Sequence, residues 1–251
     1  MAILRSEKGC PWDREQTHQS LKPYAIEETY EVLEAVDSGS PEKLKEELGD
    51  LLLQVVFHAQ LAAEKGEFDM DDVSDAISEK LIRRHPHVFA GTEVTGVDGV
   101  LANWEKIKKS EAPHERESAL DGIPKDLPAL MRAEKLQNKA ARVGFDWGDL
   151  EGPLNKAKEE FQEFEEVLNK DALPLQGTPE WDKLEDEFGD ILFSLVNVGR
   201  FLHINPELAL KRTMDKFIYR FRYMEREAAA AGKTLNEMTL AEMDILWEKA
   251  K

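Results

Sequence analysis

Apolar residues recur at intervals of three and four along almost the whole chain, and the alternation of β-branched residues that marks strands is absent. Proline and glycine residues fall mostly between the periodic stretches. Because this spacing places the apolar side chains on one face of a helix, the sequence predicts an all-α protein. The predicted helices are 16–37, 41–65, 71–84, 97–109, 128–142, 153–169, 180–202, 206–231 and 240–250. Three of them should begin with a capping residue followed by proline: Ser40-Pro41, Thr178-Pro179 and Asn205-Pro206.

The two halves of the chain carry the same motifs in the same order. Glu27–Glu31 precedes Lys43–Asp50 in the first half, and Glu159–Glu163 precedes Lys183–Asp190 in the second. Two further pairs follow in register: Lys80–Arg84 with Lys216–Arg220, and Trp104–Lys106 with Trp247–Lys249. Repetition of a whole ordered set is hard to obtain by chance, so the sequence predicts two copies of one helical module.

The boundary between the copies is expected in a polar stretch that holds several proline and glycine residues. The sequence therefore predicts an N-terminal module at 1–109, a linker at 110–127 and a C-terminal module at 128–251.

Composition narrows the possible functions. With 51 acidic and 33 basic residues, the formal net charge of −18 repels nucleic acids. Nucleotides face the same repulsion unless a divalent cation bridges them to carboxylates. A single cysteine, Cys10, excludes an internal disulfide. Neither a signal peptide nor a membrane span is expected, because the longest apolar run, Leu51–Phe57, is broken by Gln54.

The repeated acidic motifs predict metal sites. On a helix, residues three apart share a face, so each Glu-x-x-Glu pair and each Glu-x-x-Asp pair presents two carboxylates together. The second pair opens an apolar segment that we expect to be buried, Leu51–Phe57 in the first half and Ile191–Val196 in the second. The expected ligands are Glu28, Glu31, Glu47 and Asp50 in the first half and Glu160, Glu163, Glu187 and Asp190 in the second.

Ligands that are all oxygen favour Mg²⁺ or Mn²⁺ over zinc. Glu27 and Glu159, turned about 100° from each pair, could support the ligands or bind a second ion. Taken alone, either acidic run is more often a solvated helix face, and the duplication is what favours a metal site. A di-iron bundle is disfavoured because neither Glu31 nor Glu163 is followed three residues later by histidine.

Basic and aromatic residues also recur at matching positions. Lys216 and Arg220 lie four apart on one helical face, where they could hold phosphate oxygens or form a surface charge pair. Trp247 could stack on a base, although an isolated tryptophan is more often part of a core. Lys156 lies one turn before Glu160 and supplies a cation beside the second acidic motif, which favours the C-terminal half as the better catalyst.

Four segments resemble the motifs of the MazG-type nucleoside triphosphate pyrophosphohydrolases. They are Cys10–Asp13, Glu27–Leu33, Arg83–Phe89 and Val143–Trp147, and the resemblance extends over nearly the full chain. It implies an all-α NTP pyrophosphatase fold, a homodimer, and Mg²⁺-dependent hydrolysis of NTP or dNTP to the monophosphate and pyrophosphate. It further implies a housecleaning role in a bacterial cytoplasm.

The resemblance also implies roles for individual residues. Metal ligands fall on Glu160, Glu163, Glu187 and Asp190, with catalytic carboxylates at Glu159, Glu160 and Glu163. Nucleotide contacts fall on Lys156, Glu159, Lys183, Lys216, Arg220 and Trp247. The N-terminal carboxylates match equally well for metal binding. That half could also be a non-catalytic acidic scaffold for dimerisation or interaction.

Overall fold

The computed structural model describes residues 1–97, 99–100, 103–104, 107, 111, 118–168 and 173–251. Within these ranges the secondary structure is helical and contains no strand, so the predicted all-α class is confirmed. The chain divides into two compact units, Met1–Pro113 and His114–Lys251. The predicted helix 97–109 lies largely outside the described residues, and the modular boundary at 110–127 stays a prediction.

The first unit is built around a helical hairpin. Its helices are α1 (Ala2–Arg5), α2 (Pro11–Glu15), α3 (Lys22–Ser38), α4 (Pro41–Ala63), α5 (Met70–Arg84) and α6 (Pro86–Phe89). Helix α3 ends at Ser38, and the capping residue Gly39, with a left-handed φ of 65°, lets the chain reverse before α4 begins at Pro41. The Ser40 hydroxyl then accepts a hydrogen bond from the Lys43 amide and caps α4, as the sequence predicts. Helix α4 packs against α3 and, more lightly, against α5.

The second unit repeats this hairpin with longer neighbours. Its elements are α7 (Ala129–Ala141), α8 (Glu151–Leu168), α9 (Pro179–Phe201), α10 (Pro206–Ala230), a 3₁₀ turn (Leu235–Glu237) and α11 (Leu240–Lys249). Helices α8 and α9 form the principal pair, while α7 contacts both α9 and α10, and α11 packs on α10. The predicted caps at Thr178 and Asn205 are confirmed, because their side chains accept from the amides of Trp181 and Leu208.

Two expectations need correction. The helix expected from residue 16 begins at Lys22, because Thr17 and Ser20 exchange hydrogen bonds between side chain and backbone in a local turn. The apolar runs Leu51–Phe57 in α4 and Ile191–Val196 in α9 were expected to be buried, and this is wrong for part of each, since Leu192 and Leu195 are exposed. Phe57 is 3% exposed, but Leu52 is 54% exposed. A single hairpin partner covers only one side of α4, so its other apolar side faces outward.

Among the described helices, none combines the length and the apolar character that crossing a membrane requires.

Candidate active site

The N-terminal hairpin brings three of its four predicted ligands together. Glu28 of α3 and Glu47 and Asp50 of α4 each place a carboxylate oxygen within 4.8 Å of the others. Glu31 is exposed and lies outside this group. Desolvation, followed by the charges of Asp50 and Glu31, raises the pKa of Glu28. Desolvation also raises the pKa of Glu47, and the charge of Glu31 is the next cause, so Glu31 repels the three grouped carboxylates although it lies outside them.

The C-terminal hairpin forms the equivalent group from Glu160 and Glu163 of α8 and Glu187 of α9, again within 4.8 Å. Glu160 is 6% exposed, whereas Glu163 is exposed. Desolvation raises the pKa of Glu163, the Lys156 ammonium lowers it, and the charge of Glu160 raises it again. Asp190, the fourth predicted ligand, lies outside this group and lines the cavity next to it together with Glu160.

Two lysines accompany the C-terminal carboxylates. The Lys156 Nζ lies 2.6 Å from a Glu159 oxygen and 2.8 Å from a Glu160 oxygen. Its hydrogen bonds to Glu159 and then to Glu160 raise the pKa of Lys156, so this group stays cationic. On α9, the Lys183 Nζ lies 3.9 Å from a Glu187 carboxylate oxygen. In the first unit, Tyr24 occupies the position that Lys156 has in the second, and its ring meets Trp12 edge-on at 5.8 Å.

Both groups fit a hard divalent cation. Their donors are carboxylate oxygens from two facing helices, and Mg²⁺ and Mn²⁺ prefer oxygen ligands. The pKa values of Glu28, Glu47 and Glu163 are raised, first by desolvation and further by neighbouring carboxylates, so burial and mutual repulsion both disfavour the fully ionised state. The carboxylates are therefore already placed to bind a cation, and the cation would offset their repulsion.

A cavity of about 430 Å³ adjoins the C-terminal carboxylates. Its polar lining at the carboxylate end is formed by Lys156, Glu160 and Asp190. Elsewhere the wall includes Trp147, Phe193 and other apolar side chains. The dimensions are typical of small-molecule sites, whose cavities enclose about 300–1,000 Å³.

The cavity also contains an ion pair that fixes its wall. The Arg200 Nη1 donates to Asp146 at 2.9 Å, and the Arg200 Nε donates to the Asn197 Oδ1 at 2.8 Å. The hydrogen bond from Arg200 lowers the pKa of Asp146. Arg200 is thereby held by partners within the protein.

The remaining predicted nucleotide contacts lie around a different cavity. Lys216 and Arg220, in the middle of α10, line a space of about 390 Å³ together with Lys251. The Arg220 guanidinium lies 5.4 Å from the centre of the Trp247 ring, which also packs on Phe217 at 5.3 Å. The structure therefore does not bring these residues into the cavity that Lys156 and Glu160 line.

The first unit repeats this arrangement, since the Arg84 guanidinium lies 5.5 Å from the centre of the Trp104 ring. Trp104 and Trp247 each pack on side chains of their own unit. This agrees with a role in packing and not with stacking on a base.

Comparison with known proteins identifies the family. The sequence pattern described as the MazG nucleotide pyrophosphohydrolase domain matches residues 16–89. The chain is 47% identical over 251 residues to the nucleoside triphosphate pyrophosphohydrolase/pyrophosphatase MazG of Thermotoga maritima, an alignment that covers 100% of this chain and 92% of the relative. The chain belongs to the MazG family. It is also 47% identical over 246 residues to the nucleoside triphosphate pyrophosphohydrolase of Escherichia coli K12, covering 98% of this chain and 91% of that protein.

A shorter alignment with a third relative covers about half of the chain. The nucleoside triphosphate pyrophosphohydrolase of Mycobacterium tuberculosis is 48% identical over 136 residues, which are 53% of this chain and 41% of the relative. The resemblance stated from the sequence motifs is thus confirmed.

Sequence reasoning missed several residues of the cavity in this MazG-family chain. Gln137, Asn197 and Arg200 line it, yet none belongs to a repeated motif. Trp147 was not predicted as a site residue, although it closes Val143–Trp147, one of the four motifs that resemble the family. This motif could have pointed to the cavity from the sequence, because its Asp146 and Trp147 both line it.

The corresponding place in the first unit is filled by apolar side chains. Phe57 lies ten residues after Glu47, and Asn197 lies ten residues after Glu187, so the two occupy equivalent positions on α4 and α9. Phe57 packs with Leu21 in a buried cluster. Where the C-terminal hairpin has a polar residue facing a cavity, the N-terminal hairpin has a packed core.

Proposed function

We propose that this MazG-family chain hydrolyses nucleoside triphosphates, both NTP and dNTP, to the monophosphate and pyrophosphate, and that the reaction takes place at the C-terminal carboxylates. The Thermotoga maritima and Escherichia coli relatives, aligned over nearly their whole length, are named for this activity. The reaction adds one water: a bond forms between the water oxygen and the α-phosphorus, the bond from that phosphorus to the α–β bridging oxygen breaks, and pyrophosphate leaves.

The observation that carries the C-terminal assignment is the cavity beside Glu160. A substrate needs space next to the groups that act on it, and about 430 Å³ adjoins Lys156, Glu160 and Asp190. In the first unit, Phe57 is buried at the equivalent of Asn197. The N-terminal carboxylates could still bind a cation, but the packed core beside them supports a smaller catalytic role.

The residues divide into three roles. Glu160, Glu163, Glu187 and Asp190 would hold Mg²⁺, or Mn²⁺ in its place, which when bound neutralises charge that develops on the phosphate oxygens. Lys156, kept cationic by its two carboxylate partners, would contact a phosphate oxygen. Glu159, which lies outside this group and accepts a hydrogen bond from Lys156 at 2.6 Å, would take a proton from the attacking water. Lys183 would add a second ammonium from α9.

A homodimer would cover the apolar faces that each hairpin leaves outward. Leu52 and Val55 on α4 are exposed, and Leu192 and Leu195 on α9 are exposed in the same way. Apolar faces of this kind are typical of protein interfaces, and a second copy of the chain supplies a matching surface. We further propose that the activity serves housecleaning of the nucleotide pool in the cytoplasm.

The test is product identification with matched variants. The purified protein would be incubated with each NTP and dNTP in Mg²⁺, and separately in Mn²⁺, and the phosphorus products resolved by NMR. Glu160→Gln should abolish pyrophosphate release, while Glu28→Gln, the equivalent change in the first unit, should retain it. Circular dichroism would verify that both variants keep their helical content.

Loss of activity only in Glu28→Gln would move the chemistry to the first unit. If no nucleotide gave pyrophosphate with either metal, hydrolysis would be excluded and an acidic interaction scaffold would take its place.

A further inference from the structure

Gln137 on α7 presents a buried acceptor that the protein leaves unused. Its side chain is 7% exposed and lines the cavity beside Glu160. The Gln137 Nε2 donates to the Phe193 backbone carbonyl at 2.8 Å. Within the described part of the chain, the Gln137 Oε1 is buried and has no hydrogen-bond partner.

The hydrogen bond to Phe193 fixes which amide atom remains free. A carbonyl oxygen can only accept, so the group facing it must be the NH₂ of Gln137, and a flipped amide would set two acceptors against each other. The atom left over is therefore an acceptor. A buried polar atom without a partner is unfavourable by about 1–3 kcal/mol, which a ligand carrying an N–H group would relieve.

The rest of the wall shows which part of a ligand belongs here. Trp147, Phe145 and Leu136 give the cavity a largely apolar lining, which suits a flat ring. Arg200 is held by Asp146 and Asn197, so its charge is already matched within the wall. The cavity interior thus offers an apolar slot with one buried acceptor that lacks a partner among the described residues, while Lys156, Glu160 and Asp190 lie together at its carboxylate end.

We propose that this cavity is the nucleobase pocket and that the Gln137 Oε1 accepts a hydrogen bond from the exocyclic amino group of the base. The inference rests on the proposed function for the orientation of the substrate, with its phosphates at Glu160 and Asp190 and its base beside Gln137. It assigns Gln137 as a residue that determines base specificity, favouring bases with an amino group on the pairing edge, such as adenine.

The test compares two ligands that differ by this group alone. AMP and purine riboside monophosphate would be titrated against the full-length protein by calorimetry, which requires no turnover. We expect AMP to bind about five- to a hundredfold more tightly, the range that one hydrogen bond to a buried acceptor gives. In Gln137→Met, which keeps the length of the side chain without the acceptor, the ratio of the two dissociation constants should fall to about one.

The ratio is internal to each protein, so a general loss of affinity in the variant does not affect it. Gln60→Met, on α4 of the first unit, is the matched control and should keep the wild-type ratio. If Gln137→Met does not fold, Gln137→Leu, which also lacks the acceptor, takes its place and should give the same ratio of about one. Equal affinities in the wild type, binding of neither ligand, or a preference that persists in Gln137→Met would each overturn the assignment.

Pyrophosphate release from ATP, measured on the same preparation, separates this inference from the proposed function. Turnover with equal affinities for the two monophosphates would refute the base pocket alone. A preference for AMP without turnover would refute the hydrolysis and leave the pocket standing.

Discussion

Replacing Gly152 by alanine should destabilise the protein, whereas replacing glycine by alanine within a helix usually stabilises it. Gly152 lies in the first turn of α8, and a Cβ placed there would lie 2.9 Å from the Trp147 Cβ and closer still to the Cγ and Cδ1 of the ring. Two of these atoms lie near the backbone, so a small rotation of the ring cannot relieve the overlap. Trp147 would have to leave its place in the cavity wall.

The magnitude follows from two opposing terms. Replacing glycine by alanine in a helix usually stabilises by at most about 1 kcal/mol. Overpacking of the kind expected at Gly152 costs about 1–3 kcal/mol. The net effect of Gly152→Ala should therefore be a destabilisation of about 1 kcal/mol, or a decrease in Tm of about 3 °C for a unit of this size.

Gly189 is the matched control in the same unit. It lies inside α9, and a Cβ there would meet nothing within 4 Å. Thermal unfolding followed by circular dichroism should show a higher Tm for Gly189→Ala and a lower one for Gly152→Ala. In a Trp147→Ala background the clash is gone, so Gly152→Ala should become neutral or stabilising. An increase in Tm for Gly152→Ala in the otherwise native chain would show that the packing argument is wrong.

Three further outcomes are expected. Lys216→Ala should raise KM for ATP more than it lowers kcat if the ammonium holds phosphate, whereas a pure kcat defect in steady-state kinetics would contradict that role. Arg200 holds the pKa of Asp146 below its unfolded value of about 3.9, so the stabilisation is complete above about pH 4 and is lost as the pH falls through the lower folded value. The Tm difference between wild type and Asp146→Asn should accordingly be full at pH 7 and shrink towards pH 3, and a constant difference would exclude the ion pair as its source. Phe57→Ala should lower the free energy of unfolding by about 3–5 kcal/mol in urea titrations. Leu52→Ala, on the exposed side of the same helix, should lower it by far less, and similar losses would contradict the burial of Phe57.

The sequence predicted most helices well because their ends carry local chemistry. Ser40, Thr178 and Asn205 each form the predicted cap, and a cap depends on only a few neighbouring residues. The prediction was wrong for the segment before Lys22, because local hydrogen bonds there oppose a helix. Its serine and threonine side chains bond to the backbone nearby and compete with the helix.

The candidate site was predictable only where it repeats. Glu160 and Glu163 share a face by helical geometry, and duplication distinguished them from ordinary surface carboxylates. Gln137 could not be found in this way, because its importance depends on α7 lying against α9 and on the direction of one carbonyl. Pairings between distant segments leave no periodic trace in a single sequence.

The hydrogen bond from Gln137 to Phe193 has a consequence for the entropy of binding. A free glutamine side chain samples many rotamers, and ordering it on contact with a ligand would oppose association by about 1–2 kcal/mol. Here that freedom is lost when the chain folds, before any ligand arrives. The pocket therefore presents a preorganised acceptor, and more of the hydrogen-bond free energy remains for discriminating one base from another.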